Sequence, residues 1–175
     1  MAGITLKEAH FRKLSGFIES EVGIKMPPAK RIMLESRLQK RLRALKLESF
    51  DAYIDHVFNE DNGEIVHMID VVTTNKTDFF REPDHFVYLK ERLLPEHVHN
   101  DGWGIDGRLK VWSAASSTGE EAYTLAIVLE EFRRQEDSRF DYRILGTDIS
   151  TEVLETARKA VYPADRVEPV SAEFR

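Results

Sequence analysis

Leu109-Lys-Val-Trp-Ser-Ala-Ala-Ser-Ser-Thr-Gly-Glu-Glu-Ala-Tyr123, and later Tyr142-Arg-Ile-Leu-Gly-Thr-Asp148, carry the pattern that decides the fold. In each, a short apolar run rich in strand-forming residues stops at small or polar ones, which predicts one strand over 109–115 and another over 142–147. Ser116-Ser-Thr-Gly-Glu-Glu121 opens a helix expected from about Ala122 to Phe132, and the charged stretch Arg133 to Asp141 reads as a loop. A further helix is expected from Ser150 to about Ala160. Strand, helix, strand, helix is the βαβ order of a parallel, doubly wound α/β sheet, in which ligands sit beyond the carboxyl ends of the strands.

Upstream of this unit the period is helical. Thr5-Leu-Lys-Glu8 has capping-box spacing and opens a helix through Leu6, Phe11, Leu14, Phe17 and Ile18, interrupted by Gly23 and the Pro27-Pro28 pair. A second helix follows the prolines. Ser49 caps a third through Phe50, Tyr53, Ile54, Val57 and Phe58, and Asp61-Asn62-Gly63 is a turn into a fourth through Ile65, Met68, Ile69 and Val72. Glu82-Pro83 begins another helix that Pro95 is expected to end, and Asn100-Asp-Gly-Trp-Gly104 is expected to be a loop. The expected organisation is an all-α unit over 1–72, a linker and helix over 73–95, and the beginning of an α/β domain over 96–175.

Composition limits what such a chain can be. With 175 residues, 42% of them apolar and only nine Gly and six Pro, it can bury a core. The absence of Cys removes disulfides, thiol nucleophiles and thiolate zinc sites, and suggests a reducing compartment. The start lacks the apolar core of a secretory signal, and no uncharged run approaches the roughly 18 residues of a membrane span, so a cytoplasmic protein without membrane insertion is expected. Asn75-Lys-Thr77 matches a glycosylation sequon, which has no meaning without secretion. A net charge of −6 gives no reason to expect nucleic-acid binding.

That average conceals a contrast. Eight basic residues and one acid, Glu35, lie between Lys25 and Lys46, so this stretch is +7 and the remainder −13. At about 100° per residue, Leu34, Leu38, Leu42 and Leu45 form an apolar stripe flanked by Lys30, Arg37 and Arg41. A charged outer face is ordinary for a docked helix, but a face of one sign forgoes Glu-Lys pairing and suggests an acidic partner.

The turn after the first strand, Ser113 to Gly119, is built of small residues that let a ligand approach a helix N-terminus. It has one glycine rather than the three of the dinucleotide fingerprint, which disfavours an oxidoreductase, and no Gly-Lys-Ser/Thr occurs for a P-loop. Glu120 and Glu121 stand where a phosphate site needs neutral or positive groups, so a cationic ligand is favoured. Asp148 ends the next strand, where an acid accepts from ribose hydroxyls. These features suit a nucleoside with a positive tail, as in S-adenosylmethionine, although the helix dipole and N-capping also favour acids at such positions. His97 and His99 are the only close His pair, and no third His stands at helical spacing from them, so no metal is expected.

Between the two parts lies Thr73-Thr-Asn-Lys-Thr-Asp-Phe-Phe-Arg-Glu82, a polar strip closed by two aromatics and an arginine. Read from residue types alone, it is a linker pinned by Phe79 and Phe80. It closely resembles the T-N-x-T-x-F-F-R-E motif of the chemotaxis receptor methyltransferases. Val111 to Tyr123 and Gly146-Thr-Asp-Ile-Ser-Thr-Glu-Val-Leu154 resemble that family's next two motifs, in order and at similar spacing. Ala122 departs from the family's frequent proline there, and Ser116 fills a position that varies among small residues.

The resemblance implies an all-α domain followed by a Rossmann-like domain that uses S-adenosylmethionine to methylate glutamate carboxylates on the cytoplasmic helices of bacterial chemoreceptors, releasing S-adenosylhomocysteine. It assigns cofactor contacts to Asn75, Thr77, Arg81, Glu121 and Asp148, with Asp148 toward the ribose and Glu121 toward the cationic methionine end. It makes Arg37, Lys40 and Arg41 candidate substrate contacts. Arg81 becomes a candidate to orient a carboxylate, and no acid/base residue is required. A receptor-binding adapter or nucleoside-sensing module without catalysis remains the alternative. Because the family's catalytic domain continues with further strands, the chain is expected to hold only its first part.

Overall fold

The computed structural model describes residues 4–59, 63–136 and 139–175, which divide into two compact units between Thr74 and Asn75. In the first unit, α1 (Glu8–Val22) buries Phe11, Leu14 and Ile18 and closes on Gly23, whose left-handed φ of 70° lets its N–H reach the Glu19 carbonyl. Lys7, not Thr5, occupies the N-cap position, and no side chain caps there, so the helix starts later than the capping box predicts.

A turn over Pro28–Lys30 leads into α2 (Arg31–Leu45), with Leu34, Leu38 and Leu42 buried and Leu45 half-buried. Ser49 Oγ accepts from Ala52 N at 3.1 Å before α3 (Phe50–Asn59). Gly63, at φ 74°, leads into α4 (Glu64–Val72); Asp61 and Asn62 of the expected turn lie outside the described residues. The buried faces of the four helices form one core that includes Leu14, Leu38, Tyr53 and Met68.

In the second unit, α5 (Pro83–Tyr88) runs through a π turn (Leu89–Leu93) directly into α6 (Leu94–Asp101). Pro95 therefore does not end the helix, contrary to the sequence expectation. A proline normally clashes with the carbonyl four residues before it, and the wider turn, with Leu94 N–H donating to Leu89 O, relieves that clash. Asn100 and Asp101 belong to α6, and the chain leaves the helix only at Gly102, φ 69°.

Strands β1 (Leu109–Ala114) and β2 (Tyr142–Thr147) are parallel, registered Leu109 to Tyr142 through Ala114 to Thr147, and connected through α7 (Glu120–Gln135). This is the βαβ element of a partial Rossmann-like fold. The helix reaches past Phe132, so Arg133 to Gln135 are helical rather than loop: Arg133 and Arg134 pair with Glu130 one turn back and complement the helix C-terminus. Leu129 and Phe132 of α7 pack with Leu94 and Val98 of α6, Phe140, and the Val111 and Ile144 face of the sheet. On the other face, the registered pair Trp112 and Leu145 is 69% and 59% exposed. Ser150 caps α8 (Thr151–Lys159), its side chain accepting from Val153 N, and Ala160 ends it in the left-handed region.

Candidate cofactor site

The site is built where β1 and β2 end. Ser116 N–H donates to Thr147 O, which continues the sheet into the turn, and the turn reverses through Ala115, Ser117 and Gly119 at φ values of 56°, 50° and 99°. Phe80 and Glu82 in the preceding loop also have positive φ, 54° and 57°. Four non-glycine residues in the left-handed region within two facing loops mark backbone held in place by its surroundings. Phe79 is buried, Phe80 N–H donates to Thr124 Oγ1 at 3.1 Å, and Ser117 Oγ donates to Asn75 O at 3.0 Å, so the 75–82 loop is fastened to the turn and to α7.

Gly119 is the tight point of the turn. A Cβ there meets Ala157 Cβ at 2.9 Å, the Tyr162 hydroxyl oxygen at 3.0 Å and Tyr123 Cε2 at 3.1 Å, at a φ that disfavours any side chain. Gly119→Ala is expected to destabilise the chain by about 2 kcal/mol. A thermal melt that coincides with the unsubstituted protein's contradicts this.

Thr77, Arg81 and Glu121 line a cavity of about 280 Å³, together with Lys76, Asp78, Glu82, His85, Phe86 and Ala115. That volume is near the roughly 300 Å³ at the low end of small-ligand pockets. Glu121 is exposed and oriented by Ser113 Oγ, which donates to its Oε1 at 2.7 Å from the buried end of β1. Arg81 Nη1 donates to Lys76 O at 3.0 Å, and the side chain is otherwise exposed.

Asn75 and Asp148 do not line this cavity. Both grip Ser117 instead: Asn75 through its carbonyl, Asp148 through Oδ2, which accepts from Ser117 N at 2.8 Å while Oδ1 accepts from Ser150 N at 2.9 Å. Each Asp148 oxygen keeps a lone pair for a further donor, as a ribose hydroxyl would supply. An exposed carboxylate at the cavity, a carboxylate with spare acceptor capacity and a turn free of bulky side chains fit a ribose and a cationic tail. A larger groove of about 690 Å³, lined by residues such as Ile127, Tyr142, Val167, Val170 and Phe174, is mainly apolar, and its Glu130, Arg133 and Arg134 are already paired. It offers little to recognise such a ligand.

The paired acids have separate tasks. Glu121 faces the cavity, whereas the Glu120 side chain is 2% exposed and accepts from Arg166 Nη2 and Thr118 Oγ1, both at 2.6 Å. Sequence reading takes Ser113 only as a small residue of the turn and passes over Tyr162 and Arg166, since no local spacing connects 162–166 to the turn. Among the described residues no group of three or more His, Asp or Glu is arranged to hold a metal. His97 Nδ1 is taken by Asp101, and His99 Nδ1 lies 2.7 Å from Pro95 O.

Of the three basic candidates on α2, Arg41 forms a bidentate pair with Glu64, Nε to Oε1 at 2.8 Å and Nη2 to Oε2 at 2.7 Å. Arg37 Nη1 donates to the Val72 and Thr73 carbonyls and Nη2 to Thr74 Oγ1. Lys40 is exposed. Both arginines are thus engaged within the helical unit, and Lys40 alone of the three presents its charge outward.

Residues 9–73 match the CheR methyltransferase all-α domain, and residues 75–175 match the CheR methyltransferase SAM-binding domain. The chain is 39% identical over 160 residues to a chemotaxis protein methyltransferase of Escherichia coli, covering 91% of this chain and 52% of that protein. It is 37% identical over 171 residues to that of Salmonella typhimurium, covering 97% and 56%. With that of Borreliella burgdorferi the identity is 33% over 165 residues, covering 94% and 58%. The chain therefore spans little more than half the length of these relatives. No helix among the described residues is long and apolar enough to cross a membrane. With domain matches that together take in nearly all of its length, this chain belongs to the CheR methyltransferase family.

Proposed function

We propose that the chain binds S-adenosylmethionine at the loops after β1 and β2 and serves a protein that methylates glutamate carboxylates of bacterial chemoreceptors. The observation that carries this is the meeting of Thr77, Arg81 and Glu121 around one cavity, with Asn75 and Asp148 fixing the adjoining Ser117 turn. In this reading Asp148 receives the ribose hydroxyls and Glu121 faces the cationic methionine end.

When bound, S-adenosylmethionine would supply a sulfonium methyl to the substrate carboxylate oxygen, the C–S bond breaking with its electron pair returning to sulfur as the C–O bond forms. A glutamate side chain with a reference pKa of about 4.3 is already ionised at neutral pH, so no general base is needed. The protein's part is alignment and exclusion of water from two opposite charges that neutralise each other. Arg81, an exposed residue of the cavity lining, orients a carboxylate through its planar fork.

Receptor docking in this reading uses the outward face of α2. Lys40→Glu is expected to lower receptor methylation several-fold through the encounter rate while S-adenosylhomocysteine affinity stays unchanged. Equal methylation by the variant removes Lys40 from the docking surface. The function itself is tested by transfer of radiolabelled methyl from S-adenosylmethionine to receptor cytoplasmic fragments, with calorimetric titration of S-adenosylhomocysteine and NAD in parallel. Base-labile label on glutamate is the expected result. Cofactor binding without transfer supports an adapter, and binding of NAD alone overturns the cofactor assignment.

A further inference from the structure

We propose that Arg166 is a positioning residue of this site, locking the Thr77-Asp78 loop to the start of α7 and so setting the affinity for S-adenosylmethionine. The inference rests on the cofactor reading above and goes beyond it in naming what holds the cavity wall. Arg166 reaches three acceptors at once: Nη1 to Asp78 Oδ1 at 2.7 Å, and Nη2 to Thr77 O at 2.7 Å and Glu120 Oε1 at 2.6 Å. Thr77 and Asp78 line the cavity, and Glu120 is the first residue of the helix whose next residue, Glu121, also lines it.

The arrangement has a cause in the burial of Glu120. A carboxylate with a side chain 2% exposed needs a compensating charge. Arg166, 39% exposed, supplies it from 46 residues along the chain. Once drawn to Glu120, its planar guanidinium has further donors directed at Thr77 O and Asp78. Tyr162 reinforces the strap, its hydroxyl donating to Thr118 O at 2.6 Å and its ring standing edge-on to Phe79 at 5.0 Å. Residues 162–166 thus hold both cofactor loops. A lysine at 166 still neutralises Glu120, but a compact ammonium on a flexible stem lacks the fork that joins all three acceptors.

The test uses the 175-residue chain, S-adenosylhomocysteine titrated by calorimetry, and thermal melts without ligand. Arg166→Ala is expected to lower the melting temperature and weaken binding, because it strands Glu120 and frees the loop together. Arg166→Lys is expected to melt close to the unsubstituted protein yet bind about tenfold more weakly. Asp78→Asn, which leaves Glu120 paired, is expected to melt normally and bind about threefold or more weakly. Affinity that follows melting temperature in all three variants, or Arg166→Lys binding like the unsubstituted protein, overturns the positioning role and leaves a purely structural ion pair. Failure of the unsubstituted chain to bind S-adenosylhomocysteine overturns the cofactor reading, and the positioning role with it.

Discussion

Arg41→Ala is expected to destabilise the helical unit by about 3–5 kcal/mol, the cost of breaking a buried ion pair from one side. The Glu64 side chain is 3% exposed, and both its oxygens are held by Arg41, whose side chain is 19% exposed. Without the guanidinium, the carboxylate keeps the Tyr53 hydroxyl, which donates to Oε1 at 3.1 Å and is itself buried. One neutral donor does not replace a bidentate cation. In the intact protein, burial pushes the Glu64 carboxyl up, but the hydrogen bonds and charge of Arg41, aided by Tyr53, outweigh it and hold the group below the ordinary carboxylate range. A depressed folded value means that Glu64 contributes stability above its unfolded value, about 4.3, which is lost as pH falls through the folded value.

In the variant the upward push of burial is opposed only by weaker pulls, those of the Tyr53 hydroxyl and of His67 among them. Its deficit is therefore largest at neutral pH and shrinks on acidification, where a protonated Glu64 no longer strands a charge. Amide hydrogen exchange of α2 and α4 measures this: protection is expected to fall by about 100-fold or more at pH 7, and by much less near pH 4. Lys40→Ala, on the exposed side of the same helix, is expected to stay within about 0.5 kcal/mol. A loss below about 1 kcal/mol in Arg41→Ala at pH 7 would show that the pair is not structural. The consequence for function is direct. Charge reversal at Arg41 cannot report on receptor docking, because it places a second carboxylate against a buried one.

The two kinds of information in the chain were unequally legible. Strand β2 falls at 142–147 as its apolar run predicts, and the Leu34, Leu38 and Leu42 stripe is buried as its period requires. Such signals are local and repeat at the spacing of the element itself. Pro95 misled because the π turn before it depends on wider packing that no short motif records. The basic face of α2 was legible only in part. Arg41 and Glu64 are 23 residues apart, and Arg37 meets carbonyls 35 and 36 residues away, so a count of charges along one helix sees the cations without their partners. The same holds at the cavity. Thr77, Arg81 and Glu121 can be picked out by motif, whereas the Ser113 hydroxyl that aims Glu121 and the Arg166 fork that holds Thr77 act across the fold.

If Asp148 receives the ribose as proposed, Asp148→Ala is expected to weaken S-adenosylhomocysteine binding by about 100-fold or more, the largest effect among the proposed contacts. Two hydroxyl donors to a charged acceptor contribute about 1.5–3 kcal/mol each, and every 1.4 kcal/mol is tenfold in affinity. A second loss adds to this. Asp148 holds Ser117 through its backbone N–H at 2.8 Å, and Ser117 has a φ of 50°, a conformation that persists only while its surroundings enforce it. With the carboxylate gone, the turn between Ala115 and Gly119 is free to relax, and Ser117 Oγ no longer holds Asn75 O in register. Asp148→Asn separates the two contributions. It keeps one carbonyl oxygen for Ser117 or Ser150 but turns a donor toward the other, and it removes the charge that strengthens ribose bonding. Its affinity is expected to lie between those of Asp148→Ala and the unsubstituted chain, about tenfold below the latter. Calorimetry on the three proteins decides the matter. Asp148→Ala binding within about threefold of the unsubstituted chain would place the ribose elsewhere, since even one lost charge-assisted hydrogen bond costs more than that.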